Sequence, residues 1–260
     1  MKQSINTPSI KNARELGGYV NKNGKKIKMG RLLRTGKLAN ASQEDLDCLA
    51  NVYHVKKVFD FRGKDERDRE PDLAIEGAKN YWINIIDEFL MNAAKREEEQ
   101  NMFESFMYFI KSGFMRNMYV DIVKSDFSQK AYHTFLKEVI DCEDGAILWH
   151  CSAGKDRTGL AALFLLTILD FDLEQVYEDY ILTNEYVKDL IEVRVQQFLA
   201  MGCPEKYIED LRCIEGVNLD YFKAGIVAVE ENYGSVREFI INQLGISEEE
   251  ITLLKNRYLE

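Results

Sequence analysis

Proline is nearly absent from this chain, with three in 260 residues, and glycine is modest at 16. That balance excludes a collagen-like, polyproline or linker-rich organisation. Long hydrophobic runs are missing as well. The longest, 160–169 (LAALFLLTIL), falls far short of the roughly 20 residues of a membrane span. The first residues (MKQSINT) carry no apolar core of the kind a signal peptide has, so a cytoplasmic location is expected. Five cysteines, an odd number without a repeated Cys-x-x-Cys spacing, argue against a disulfide framework and a cysteine-rich zinc site. Cys48, Cys142, Cys203 and Cys213 read as small buried hydrophobes. Positive charge is outweighed, with 34 Lys and Arg against 44 Asp and Glu. A net charge of −10 and a pI near 5.0 leave no general surface for nucleic acid or an anionic membrane. An anionic ligand would have to be captured by a local cationic site, against the overall field.

What is present is a globular composition, 46% hydrophobic and 30% charged, long enough to bury a substantial core. No repeat or low-complexity linker divides the chain, so 1–260 is expected to be a single domain. Four short β-prone stretches precede residue 151: 31–34, 57–61, 81–86 and 146–150. Helical patterns lie among them, at Ser42 with Asp45 (a capping-box spacing), over 101–124 and over 128–140. Strands alternating with helices predict an α/β fold with a mainly parallel sheet of four to five strands. After 155 the β signal stops. Residues 158–169 are apolar almost all round, the mark of a buried central helix. Residues 172–182, 185–201, 204–213, 219–232, 235–244 and 247–258 follow as helices, with Gly202, Gly234 and Gly245 as stops. A helical insertion or lid is expected over about 90–125, and a helical extension over about 184–260. Arg96 to Gln100 reads as a solvated helix start or lid edge.

The stretch WHCSAGKDRTG, 149–159, carries the chemistry. A buried strand ends at His150, Cys151 follows, and Ser152, Ala153 and Gly154 are small enough for tight winding before a helix opens near Arg157 or Thr158. Such a strand, compact loop and helix N-terminus aim backbone N–H groups and the positive end of the helix dipole at one point. That point suits a tetrahedral dianion, with the thiol at its floor. Helix N-termini of this kind favour thiolate over thiol. Arg157 has the planar fork that grips two phosphate oxygens together, which lysine lacks.

The stretch 150–159 resembles the His-Cys-x5-Arg-Thr/Ser signature of the cysteine-based protein tyrosine phosphatases. It is most similar to the bacterial branch whose loop reads His-Cys-x-Ala-Gly-Lys-Asp-Arg-Thr-Gly. Further similar stretches are 12–19 (NARELGGY), 30–36 (GRLLRTG), 60–62 (DFR), 232–235 (NYGS) and 244–247 (LGIS). The resemblance implies a three-layer phosphatase fold and hydrolysis of phosphotyrosine, with phosphoserine, phosphothreonine or phosphoinositides as further substrates. It implies that Cys151 attacks phosphorus to form a phosphocysteine, which water then hydrolyses. Ser152, Ala153, Gly154, Lys155, Asp156 and Arg157 would hold the phosphate, and Thr158 would donate a hydrogen bond to the sulfur. It implies no cofactor and no metal.

Three aspartates compete as general acid: Asp156 inside the loop, Asp87 after the strand over 81–86, and Asp60 at a strand end, where it could equally pair with Arg62 as part of the site wall. Lys155 is read either as an exposed lysine or as a contact for extra phosphates on an inositol headgroup. Arg14 and Arg34 recur in the similar stretches and are open to either a site role or a structural one, and Gly17-Gly18 reads as a turn needing positive φ. Three rivals remain. A Walker-type loop fails because Asp156 stands where Ser or Thr should bind magnesium and Trp149 where the first glycine should be. A rhodanese-like sulfurtransferase also puts a reactive cysteine in an anion loop, but Arg157-Thr158-Gly159 opening a buried helix favours a phosphatase. An inactive reader of phospho-ligands need not retain both Cys151 and Arg157. The expected partners are a phosphorylated protein or phosphoinositide, with no nucleic acid and no integral membrane association.

Overall fold

The structure, a computed structural model, describes residues 3–87 and 112–260. Its strands are β1 (Arg14–Glu15), β2 (Leu32–Thr35), β3 (Val55–Asp60), β4 (Lys79–Trp82) and β5 (Ala146–His150). Before β5 come the helices α1 (Gln43–Asn51), α2 (Lys64–Arg69), α3 (Phe114–Lys124) and α4 (Asp126–Ile140). After it follow α5 (Asp156–Ile168), α6 (Leu173–Tyr186), α7 (Lys188–Ala200), α8 (Ile208–Glu215), α9 (Leu219–Tyr233), α10 (Val236–Asn242) and α11 (Glu248–Tyr258).

The sheet order is β1-β2-β5-β3-β4, parallel throughout except for the short antiparallel β1. Strand β5 lies in the middle, and every one of its residues is buried, as a continuous apolar run should be when helices cover both faces. Alternation divides it. Ile147 and Trp149 enter the core built with α4 and α5, whereas Ala146 and Leu148 enter the core closed by Leu46 and Leu49 of α1. The α/β fold expected from the sequence is the one observed, with eleven helices among the described residues.

Helix α5 is buried on all sides, and each fully buried leucine or phenylalanine contributes about 1.5–3 kcal/mol, so its N-terminus is firmly placed. Helices α7 and α8 enclose a small separate core of Val187, Ile191, Val195, Phe198, Cys203 and Leu211. No helix among the described residues is long and apolar enough to cross a membrane.

Some elements differ from expectation, each for a local reason. The strand expected over 81–86 is Lys79–Trp82, because β4 follows β3 only as far as Asp60. Beyond it the amides of Ile83 and Ile85 still reach the carbonyls of Asp60 and Phe61. The helix expected over 185–201 begins at Lys188, since α6 continues to Tyr186 before the break at Val187. Ser42 caps α1 as expected, but the Asp45 carboxylate turns to Ser9 instead of completing the box. Gly18 has φ +78°, as a positive-φ turn requires, while Gly17 does not. The insertion expected over 90–125 falls largely on 88–111, and Arg96 to Gln100 wholly so; both lie outside the described residues in that part.

Candidate active site

The register places Thr35 opposite His150, His150 opposite Asp60 and Asp60 opposite Trp82, so four parallel strands end at one level. This carboxyl edge is where ligands settle in open α/β sheets. The loop 151–155 leaves β5 there, with Cys151 buried at 2% exposure.

Four successive carbonyls of the loop are drawn outward. His150 Nδ1 donates to Cys151 O at 3.3 Å, and the Lys37 amide to Ser152 O at 3.1 Å. Asn12 Nδ2 donates to Ala153 O at 3.1 Å and to Gly154 O at 2.8 Å, the latter also accepting from Arg34 Nη2 at 3.0 Å. Among the described residues no peptide bond is cis, and in a planar trans peptide the N–H points opposite to the C=O. The amides of Ser152, Ala153, Gly154 and Lys155 therefore turn inward, forming a concave nest for an anion. Gly154 is needed for this winding. It has φ +68°, and a Cβ there would stand 2.2 Å from Thr35 O.

The support beneath the loop is a buried ion network of Arg14, Arg34 and Asp179. Arg14 Nε donates to Asp179 Oδ1 at 3.1 Å, and Arg34 Nη1 donates to Asp179 Oδ2. Arg14 Nη1 also donates to Asn12 Oδ1, so the residue that holds Ala153 and Gly154 is itself held. Two guanidiniums share one carboxylate, leaving a net positive charge under the nest. Burial, followed by the charge of Arg14, lowers the Arg34 pKa to about 10 despite Asp179. Burial disfavours the Asp179 carboxylate, but the two arginines outweigh it and hold its pKa below the usual range.

Arg157, on the first turn of α5, is gripped by a residue that sequence reasoning missed. Its Nη1 and Nη2 donate to Glu66 Oε2 at 2.6 Å and Oε1 at 2.9 Å, an end-on fork. Glu66 also accepts from the Ser152 hydroxyl and, at 2.9 Å, from the Gly63 amide. Burial pushes the Glu66 pKa up, but the Arg157 hydrogen bonds and charge, with Ser152 and Gly63, bring it down to about 2. The fork uses Nη1 and Nη2 and leaves Nε out of the grip. The signal is a glutamate three residues after Gly63, hidden in the charge-dense KDERDR of α2, which has no apolar residue and so shows no periodicity.

The other candidates separate clearly. Asp156 Oδ1 accepts from Tyr119, and its Oδ2 lies 3.6 Å from Lys155 Nζ. Lys155 is not exposed: Nζ donates to the carbonyls of Ile214 and Gly216, closing the C-terminal end of α8. Thr158 is fully buried, and its hydroxyl has no hydrogen-bond partner, so the contact to the sulfur expected from the sequence is not made here. Asp60 is ion-paired in this structure. It accepts from Arg62 Nε and Nη2, both at 2.9 Å, and pairs with Arg67 at 3.2 Å. His150 Nε2 stands 3.3 Å from Asp72 without hydrogen-bond geometry. Asp60, Asp72 and His150 could together approach a metal ion, but Arg62 donates to both carboxylates and is the cation of that cluster. Asp87 lies half-buried beyond β4, two residues after the Ile85 amide that meets Phe61 O. A cavity of about 520 Å³ beside Asp60, Arg67 and Trp82 has no lining residue from the 151–157 loop.

The model of the family described as the tyrosine phosphatase family matches residues 5–260. The chain belongs to the tyrosine phosphatase family. This phosphatase is 28% identical over 259 residues to a provisionally named tyrosine-protein phosphatase of Cupriavidus necator, covering 96% of this chain and 86% of the relative. It is 28% identical over 234 residues to a tyrosine-protein phosphatase of Nostoc commune, covering 86% and 73% of the two chains. A shorter similarity, 26% over 117 residues and 42% of each chain, links the phosphatase to the triple specificity protein phosphatase PtpB of Mycobacterium tuberculosis.

Proposed function

We propose that this phosphatase hydrolyses phosphotyrosine in proteins through a covalent phosphocysteine on Cys151. The observation that carries the reading is the outward pull on four consecutive loop carbonyls, which turns the amides of Ser152 to Lys155 to the opposite, inner side of the loop that follows Cys151. A phosphoryl group seated there presents phosphorus to Sγ. The S–P bond forms as the P–O bond to the substrate breaks, and the amides with the free edge of Arg157 hold the oxygens on which charge spreads.

The departing tyrosine oxygen, with a phenol pKa near 10, takes a proton from Asp156, a contribution typically worth about 10² to 10⁴-fold. Water then attacks phosphorus and gives a proton to the Asp156 carboxylate, the S–P bond breaks, and thiolate and inorganic phosphate are released. The buried hydroxyl of Thr158, which makes no hydrogen bond in this structure, is proposed to turn to the sulfur as it departs. Asp60 and Arg62 form the wall, and Asp87 is the rival acid. The scheme uses neither metal nor cofactor.

Phosphotyrosine is favoured because two relatives are named tyrosine-protein phosphatases. The name of the Mycobacterium tuberculosis relative is the reason to assay phosphoserine, phosphothreonine and phosphoinositides as well. The reading treats the chain as one catalytic domain with a helical extension from about 184, acting in the cytoplasm. Purified protein should hydrolyse a phosphotyrosine peptide and 4-nitrophenyl phosphate, and Cys151→Ser should abolish turnover while retaining phosphopeptide binding. Undiminished turnover by Cys151→Ser ends the proposal.

A further inference from the structure

The two oxygens of Asp156 have different surroundings. Oδ1 accepts from the Tyr119 hydroxyl at 2.5 Å, and that hydroxyl lies 2.7 Å from the hydroxyl of Tyr180. Oδ2 faces Lys155 at 3.6 Å, on a side chain that keeps 16% of its surface exposed. A phenol has one hydrogen to give, and Tyr119 spends it on the carboxylate, so Tyr180 must donate to Tyr119. The result is a directional chain from Tyr180 to Tyr119 to Asp156.

The phenols are locked in place. Both tyrosines are buried, at 0% and 1% exposure. Tyr180 stacks on Phe222 of α9 with centroids 4.0 Å apart, and Tyr119 meets both rings edge-on. Three helices, α3, α6 and α9, thus converge on one carboxylate oxygen. Phenylalanine at either position would fill the same volume without burying a polar group, so packing alone gives no reason for the hydroxyls. Burial, followed by the charge of Asp156, raises the pKa of both phenols well above the ordinary value, and both remain donors.

We propose that Tyr119, backed by Tyr180, is the positioning residue for Asp156: it occupies Oδ1 and leaves Oδ2 as the oxygen that delivers the proton to the leaving group. This rests on Asp156 being the general acid. Proton delivery matters most when the leaving group is a poor one. Replacing Tyr119 should therefore slow phenyl phosphate and phosphotyrosine far more than 4-nitrophenyl phosphate.

The test measures kcat/KM, which reports the steps up to departure of the leaving group, for phenyl and 4-nitrophenyl phosphate in Tyr119→Phe, Asp156→Asn and the double variant. The proposal expects Tyr119→Phe to lose about 10-fold on phenyl phosphate, with under twofold change on 4-nitrophenyl phosphate. In the Asp156→Asn background the same change should cost nothing further. Tyr180→Phe, which only weakens the donor, should show the same selectivity at smaller amplitude and serves if Tyr119→Phe folds poorly. Equal losses on both substrates, or additive losses in the double variant, overturn the positioning role while Asp156→Asn still discriminates. An Asp156→Asn variant that does not discriminate leaving groups overturns the acid assignment, and the positioning role with it.

Discussion

Glu66 holds Arg157 end-on through two hydrogen bonds of 2.6 and 2.9 Å, and the same carboxylate takes the hydroxyl of Ser152. One residue from α2 thus orients both Arg157 and the side chain that follows Cys151. Because the grip is on the Nη1–Nη2 end, it neutralises the arginine without covering the Nε edge.

Glu66→Gln keeps the shape but loses the charge and one half of the fork. We expect kcat/KM on a phosphotyrosine peptide to fall by about 10². Steady-state kinetics on the folded variant provide the check; a change of less than threefold would mean that Arg157 is oriented without Glu66.

The same contact makes stability depend on pH. The folded-state pKa of Glu66 is about 2, depressed from an ordinary 4.5. Its contribution is complete above about 4.5 and is lost as pH falls toward 2. A shift of this size corresponds to on the order of 3 kcal/mol. Urea unfolding from pH 6 to pH 2 should show the gap between wild type and Glu66→Gln narrowing across that window, whereas a constant gap would contradict the assignment.

Gly154→Ala places a methyl 2.2 Å from Thr35 O at a φ of +68°. The expected cost is about 2–4 kcal/mol, with loss of phosphate affinity because the loop must unwind to accept it. Thermal unfolding and phosphate titration measure both effects. An alanine variant with wild-type melting and binding would show that the nest tolerates another winding.

Lys155 is tied to the carbonyls of Ile214 and Gly216. Lys155→Met is therefore expected to loosen the α8 end, seen as faster amide exchange over 208–218, and to lower activity on phosphotyrosine peptide and phosphoinositide by the same factor. A loss confined to polyphosphorylated lipid would instead assign the lysine to a second phosphate.

The loop and the sheet were legible because both obey strong local rules. Residues 146–150 can only be a buried strand, 158–169 only a buried helix, and what joins them must wind tightly through Ser152, Ala153 and Gly154. Pairings across long separations were not legible. Nothing in KDERDR announces that Glu66 meets a residue 91 positions away. Nothing in the helical 172–182 pattern marks Asp179 as the shared partner of Arg14 and Arg34, since a lone aspartate on a helix reads as solvated until the tertiary fold buries it. Helix α2 itself escaped because it has no apolar face, and β1 because two residues carry no pattern.

The central claim is that Cys151 carries the phosphoryl group during turnover. The most direct measurement is an acid quench of the enzyme turning over an aryl phosphate, followed by peptide mass mapping. One phosphoryl group on the peptide containing Cys151, absent in Cys151→Ser, is the predicted result. A phosphoryl group on any other residue, or wild-type turnover by Cys151→Ser without one, would contradict the account.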